Sequence, residues 1–262
     1  MNVAVRPAIV AEDATKVFLD GAVTAFRDLR LSVSDRETLC VVGPSGCGKT
    51  TFLRCVAGLI ALTSGRLLVH GQPVRGVAPG VALVFQHFGL LPWKTVHQNA
   101  AFGLDMAGAP RPVVRERVDH YLDLVGLRGF ERHYPYQLSG GMQQRVGLVR
   151  ALATDPSVLL LDEPFAALDA QTREVLQEEL LRIMQHERKT MVFVTHSIDE
   201  AILLGDRVAV LSARPGRLRE MVEVPFGRPR QVDGLGVRAD PRFAELREHI
   251  WSGLRPEAAA AV

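Results

Sequence analysis

The stretch Gly43-Pro44-Ser45-Gly46-Cys47-Gly48-Lys49-Thr50 fits GxxxxGK[ST] at every position. That spacing suits a phosphate chain: the glycines let backbone N–H groups converge on phosphate oxygens, and a helix opening at the end of the run adds its N-terminal dipole. Lys49 is placed to reach the β- and γ-phosphates, the Thr50 hydroxyl to ligate Mg²⁺, and Thr51 extends the same set. An esterase nucleophile elbow is excluded, since Cys47 stands where that motif requires glycine.

Such a cradle needs a metal ligand and a group that acts on water. Val158-Leu159-Leu160-Leu161-Asp162-Glu163 is a strand-sized apolar run ending in two acids. Asp162 suits the Mg²⁺ shell, and Glu163 is placed to orient or deprotonate the attacking water. His196 follows the strand candidate Met191–Val194, and Ser197-Ile198-Asp199-Glu200 reads as a capping box that starts a helix directly after it. This puts His196 at the C-terminal edge of the sheet, where ligands of open α/β sheets bind. The phosphate loop and Asp162 fall on the same edge, so His196 is a candidate γ-phosphate sensor.

A second anion site opens the helical pattern that runs to Leu152: Leu138-Ser139-Gly140-Gly141-Met142-Gln143-Gln144-Arg145. One chain then carries two phosphate-binding helix starts for a triphosphate with one γ-phosphate. A head-to-tail dimer, each chain lending its second site to the other's ATP, resolves the surplus. With these motifs in this order, residues 10 to about 225 resemble the ATP-binding subunit of an ATP-binding-cassette (ABC) transporter. The resemblance implies that Ser139, Gly140 and Gly141 meet γ-phosphate across the dimer. It implies that Gln86 links Mg²⁺ and water to the membrane subunit, and that Asp169 in Ala167-Leu168-Asp169 communicates between sites. It also places Phe18 where the family stacks an aromatic on adenine. Two departures are visible: Asp35-Arg36-Glu37 stands where the family has Gly-Glu, and Ala166 where relatives carry Gly. Neither removes a catalytic group.

His87-Phe88-Gly89-Leu90-Leu91-Pro92-Trp93-Lys94-Thr95-Val96, with Asn99 and Ala101-Phe102-Gly103-Leu104, is similar to importers of nitrate, sulfonates and taurine. So are Pro164 to Arg173, Leu211-Ser212-Ala213-Arg214-Pro215-Gly216-Arg217 and Asp240-Pro241-Arg242-Phe243. The resemblance implies membrane-spanning permease subunits, contacted through Phe88–Trp93, and indirectly a periplasmic or extracellular solute-binding protein. A small sulfonate such as taurine is the expected solute, with nitrate as the alternative. The lack of a long extension after Asp240-Pro241 favours a symmetric pair of motors and hence the sulfonate.

Positioning these groups requires a sheet. Strand candidates Leu39–Val42, Val81–Phe85, Val158–Leu161, Met191–Val194 and Val208–Leu211 alternate with helical patterns at Thr50–Gly58, Arg111–Val125, Gly141–Ala153, Thr172–Gln185 and Ile198–Leu204. Near-continuous apolar strands between helices indicate an α/β sheet covered on both faces. Residues 1 to about 38 and about 65 to 85 alternate and carry turn signals, predicting a small antiparallel layer. The expected fold class is thus α/β: a P-loop NTPase (RecA-like) core sheet with an antiparallel β-subdomain and an inserted helical subdomain, about 88–155. The ATPase domain is expected over 1–230, and 231–262 as a C-terminal helical tail.

Composition narrows the function classes. The formal charge of +2 lacks the clustered basic excess that nucleic-acid binding favours. No apolar run approaches the roughly 20 residues of a membrane span, and the start does not read as a signal peptide. The expected location is the cytoplasmic face of the cell membrane, held there by a partner. Cys40, Cys47 and Cys55 lack CxxC spacing and read as free thiols, and the eight histidines lack HxH or HExxH spacing. Chromosome-condensing and DNA-repair ATPases interrupt the cassette with coiled coils or zinc modules, for which the interval from Gly43 to Leu138 has neither heptads nor paired CxxC. A cassette-bearing scaffold of cofactor assembly would not need the Leu90-Leu91-Pro92-Trp93 segment.

Overall fold

Period-two alternation at the start of the chain gives two long antiparallel strands, β1 (Pro7–Phe18) and β2 (Val23–Ser34). Ile9, Ala11 and Ala14 of β1 and Leu29, Leu31 and Val33 of β2 are buried, as strands with one covered face require. After β3 (Thr38–Val42) and helix α1 (Lys49–Val56), β4 (Ser64–Val69) pairs with the free edge of β1. The short β5 (Gln72–Pro73) completes a four-stranded sheet ordered β2-β1-β4-β5. The computed structural model describes residues 7–86, 89–166, 168–187, 189–228 and 236–255. His87 and Phe88 of the expected docking segment, and Ala167, lie outside these residues. The chain divides into two units, one formed by residues 1–79 and 188–262, the other by 80–187.

The second unit contains β6 (Val81–Val84), α2 (Val96–Met106), α3 (Arg111–Leu124), α4 (Gly140–Leu152), β7 (Val158–Asp162) and α5 (Ala170–Glu187). β6 and β7 pair in parallel, Val81↔Val158 through Val84↔Leu161. The alternating layer expected over 65–85 therefore ends at Pro73. Val81-Ala82-Leu83-Val84 is a continuous apolar run, which suits a parallel sheet rather than a half-solvated one. Thr95 caps α2 with a complete capping box to Gln98. Tyr121 of α3 donates to Glu187 at the end of α5, 2.5 Å away.

The chain returns to the first unit with β8 (Thr190–Val194), α6 (Ile198–Leu204), β9 (Arg207–Leu211), β10 (Leu218–Glu223) and α7 (Pro241–Leu254). β3 runs parallel between β8 and β9, with Val41↔Val194 and Val42↔Val210, and β10 lies antiparallel to β9. All five side chains of β3 and of β8 are buried, and after the threonine that opens each strand the residues are apolar throughout. α7 buries Phe243 and Ile250, and Arg219 of β10 donates to the Gly253 and Arg255 carbonyls at its end. No helix among the described residues is long and apolar enough to cross a membrane.

Candidate phosphate and signature sites

The loop from Gly43 to Gly48 leaves the end of β3 and enters α1, and its glycines have separate reasons to be there. Gly46 and Gly48 sit at φ +77° and +96°, where side chains are strained, and a Cβ on Gly48 would lie 2.7 Å from the Ala25 carbonyl oxygen. A Cβ on Gly43 would lie 2.7 Å from Cys47 Sγ. Lys49 is 4% exposed; its ammonium donates to the carbonyls of Gly43 (2.7 Å) and Pro44 (3.2 Å). The candidate phosphate lysine is thus held inside the loop. Ser45 is exposed, Thr50 and Thr51 are half-buried in the first turn of α1, and Cys47 is buried with its pKa raised by that burial despite Lys49.

Strand register fixes what stands beside this loop. Because Val41 pairs Val194, the residues after β8 emerge next to Gly43, and the Thr195 N–H donates to the Val41 carbonyl at 3.3 Å. His196 follows, exposed, on that edge. The capping box expected here is half formed. Ser197 accepts the Glu200 N–H, but the Glu200 carboxylate accepts the Thr195 hydroxyl, which in turn accepts the Ser197 N–H. Burial explains the exchange, since Glu200 is 7% exposed and is turned toward Thr195. Phe18 ends β1, half-exposed, with the Lys16 ammonium 4.8 Å from its ring centroid.

The second unit collects the other candidates into two groups. Val84 pairs Leu161, so Gln86 and the Asp162-Glu163 pair leave adjacent strands at one edge. Asp162 is 5% exposed, Gln86 is exposed, and Glu163 takes φ +48°, a left-handed position unusual for a side chain other than Asn, Asp or Gly. In the other group Ser139 caps α4, accepting the Met142 N–H at 3.3 Å, and Ser139 and Gly140 are exposed. Space beside Gly140 is open, whereas a Cβ on Gly141 would meet the Thr172 methyl at 2.5 Å. Asp169 caps α5 by accepting the Thr172 N–H at 2.9 Å, which lowers its pKa. Gly141 and Asp169 thereby both meet Thr172.

The oxygen donors fit Mg²⁺. Each in its own unit, Asp162 and Thr50 offer a hard oxygen ligand, and among the described residues no cluster of three or more His, Cys, Asp or Glu forms a metal site of its own. Mg²⁺ characteristically takes one or two carboxylates and completes its shell with substrate phosphates and water.

Three contacts were not read from the sequence. Asn99, fully buried, accepts the Leu91 N–H and donates to the carbonyls of Leu91, Lys94 and Thr95, fixing the segment that presents Trp93. Arg150 of α4 donates to the Gly89 carbonyl at 2.8 Å. Arg214 donates to the Gly46 carbonyl at 3.3 Å. A polar residue flanked by Val96, Ala100 and Ala101 was the available signal for Asn99. Trp93 itself is 72% exposed.

The model of the family described as "ABC transporter" matches residues 26–166. The taurine import ATP-binding protein of Roseobacter denitrificans is 46% identical, over 90% of this chain and 85% of that protein. The nitrate import ATP-binding protein of Synechococcus elongatus is also 46% identical, over 87% and 83%. A solved dimeric ATP-binding cassette in a post-hydrolysis state, with ADP and phosphate bound, aligns with TM-score 0.74 and 29% identity, over 84% of this chain and all of that one.

Proposed function

This chain belongs to the ABC transporter family as an ATP-binding subunit of the importer type, an ATPase whose hydrolysis is coupled to transport, and we propose how its residues divide that work. The observation that carries the proposal is the phosphate loop: two left-handed glycines and a buried lysine bonded to the loop's own carbonyls. When the β- and γ-phosphates arrive, the Lys49 ammonium exchanges those carbonyls for phosphate oxygens while the N–H groups from Ser45 through Thr51 close on the phosphate chain. Phe18 stacks on adenine. Thr50, Asp162 and Gln86 would hold Mg²⁺, which would supply positive charge against that developing on the phosphates. Glu163 orients water and accepts its proton, and His196 contacts the γ-phosphate.

Ser139, Gly140 and Gly141 complete the site of a second copy, or of a like ATPase subunit, and Asp169 lies between the two nucleotides. The exposure of Ser139 and Gly140, beside open space, supports a ligand from outside the chain. The solved dimer supports the pairing. The helical segment about 88–155 serves as the subdomain that meets permease subunits through Phe88–Trp93, at the cytoplasmic membrane face. Residues 231–262 form a tail of the 1–230 ATPase domain. The solute is proposed to be a sulfonate such as taurine. Relatives named for taurine and for nitrate stand equally near, so nitrate is the competing reading.

The test is a pair of variants followed by light scattering and phosphate release. Glu163→Gln is expected to bind ATP, dimerise with it, and lose about 10²–10⁴-fold in turnover. Adding Ser139→Arg should keep the chain monomeric at the same ATP concentration. Normal turnover would remove Glu163 from the mechanism, and a dimer bearing Ser139→Arg would sink the sandwich.

A further inference from the structure

The turn joining β9 to β10 lies against the phosphate loop at three points. The Leu211 Cβ lies 3.1 Å from where a Cβ on Gly43 would stand. Arg214 Nε donates to the Gly46 carbonyl at 3.3 Å. Gly216 comes so near that a Cβ would sit 2.0 Å from the Cys47 carbonyl oxygen. The turn is itself fixed. The Gly216 N–H donates to Ala25 (3.0 Å), its carbonyl accepts the Arg27 N–H (2.9 Å), and Arg217 pairs with Asp28 at 3.0 Å. Ser212 Oγ donates to the Pro215 carbonyl at 3.1 Å and accepts the Arg217 N–H at 3.0 Å. Arg214 therefore extends from a platform bound to both β2 and the loop.

We propose that Arg214 is a positioning residue of the nucleotide site, pinning the Gly46–Cys47 peptide so that the Cys47 amide faces the phosphates. This rests on reading residues 43–50 as the phosphate cradle. In a trans peptide the carbonyl and N–H point opposite ways, so a carbonyl held toward Arg214 turns the following N–H into the loop. That N–H donates to the Pro44 carbonyl over a long 3.3 Å, a bond that a phosphate oxygen can replace. Glycine at 46 permits many peptide orientations, so an external pin selects one and lowers the ordering cost of binding. The guanidinium is exposed and also adds positive potential at the loop.

The experiment titrates the full chain with N-methylanthraniloyl derivatives of ATP and ADP and measures KM and kcat. It compares wild type, Arg214→Met, Arg214→Lys and Lys49→Ala, with circular dichroism to establish folding. Arg214→Met should weaken both nucleotides by about 3–10-fold, the worth of one hydrogen bond to a charged group in a partly exposed place. KM should rise with it while kcat at saturating ATP stays within about two-fold, and Arg214→Lys should recover part of the affinity. If both Arg214 variants bind like wild type, or lose kcat with affinity intact, while Lys49→Ala loses binding, Arg214 has no such role. If Lys49→Ala also binds normally, the cradle assignment itself falls. Should Arg214→Met fail to fold, Arg214→Lys carries the comparison alone, and wild-type affinity in it overturns the proposal.

Discussion

Single residues in this chain carry backbone strain that the sequence hints at only where a glycine is missing. The Asp35-Arg36-Glu37 turn is one case: Arg36 takes φ +63°, the conformation that a family glycine adopts without cost. The position is retained because the turn's other bonds are good. The Arg36 N–H donates to Thr190 at 2.9 Å, and buried Glu37 accepts the Ser34 N–H and pairs with Arg207. Arg36→Gly should raise stability by about 0.5–1 kcal/mol in urea unfolding, since a side chain at positive φ costs more than glycine's extra unfolded freedom. The exposed Arg36–Asp35 pair lost in the exchange contributes little. Equal or lower stability would mean that Arg36 earns its place through a contact with more weight than its backbone shows. Glu163 at φ +48° is another case, and no glycine pattern announced it.

At the scale of elements, the segment from Gly89 to Thr95 shows how two helices hold a loop that has no regular structure. Asn99 in α2 binds the backbone at Leu91, Lys94 and Thr95, and Arg150 in α4 binds Gly89, so Trp93 projects from a fixed base. Asn99→Leu keeps the volume but leaves buried backbone groups unpaired, at a cost of about 1–3 kcal/mol. Trp93→Ala removes an exposed ring and should leave the melting temperature unchanged. Both should lower uptake and permease-stimulated ATPase in reconstituted vesicles while ATPase of the isolated chain persists. Full uptake by Trp93→Ala would detach this segment from the permease. Periodicity and apolar runs made five strands, β3 and β6 to β9, and five helices legible to within a few residues, because burial leaves a repeating mark along the chain. The Asn99, Arg150 and Arg214 contacts left no such mark, since each joins a side chain to a backbone carbonyl, and any residue supplies a carbonyl. The chemistry of the phosphate loop and the Asp162-Glu163 pair was readable because it demands particular residue types in order. The half-formed box at Ser197 was not, because the partner of Glu200 is decided by packing rather than spacing.

For the whole molecule the question is what the motor drives. Its nucleotide groups do not touch a solute, so the sulfonate reading rests on relatedness and needs a test in the cell. A deletion strain is expected to fail on taurine or alkanesulfonates as sole sulfur source and to grow on nitrate as sole nitrogen source. Normal growth on every sulfonate with failure on nitrate would reverse the proposal.

One feature of the phosphate loop bears on how the protein endures. Cys47 is enclosed between Gly43 and Lys49, and burial raises the thiols of Cys47 and Cys55, the latter to about 11; Cys40 is buried as well. A thiol raised by burial is ionised less at neutral pH than a free one, and the thiolate is the form that peroxide and alkylating agents attack. The folded chain should therefore take up iodoacetamide far more slowly than the urea-unfolded chain and keep its ATPase throughout. Labelling of Cys47 at the unfolded rate would show the loop to be open. For as long as the fold holds, its thiols are kept out of reach of alkylation.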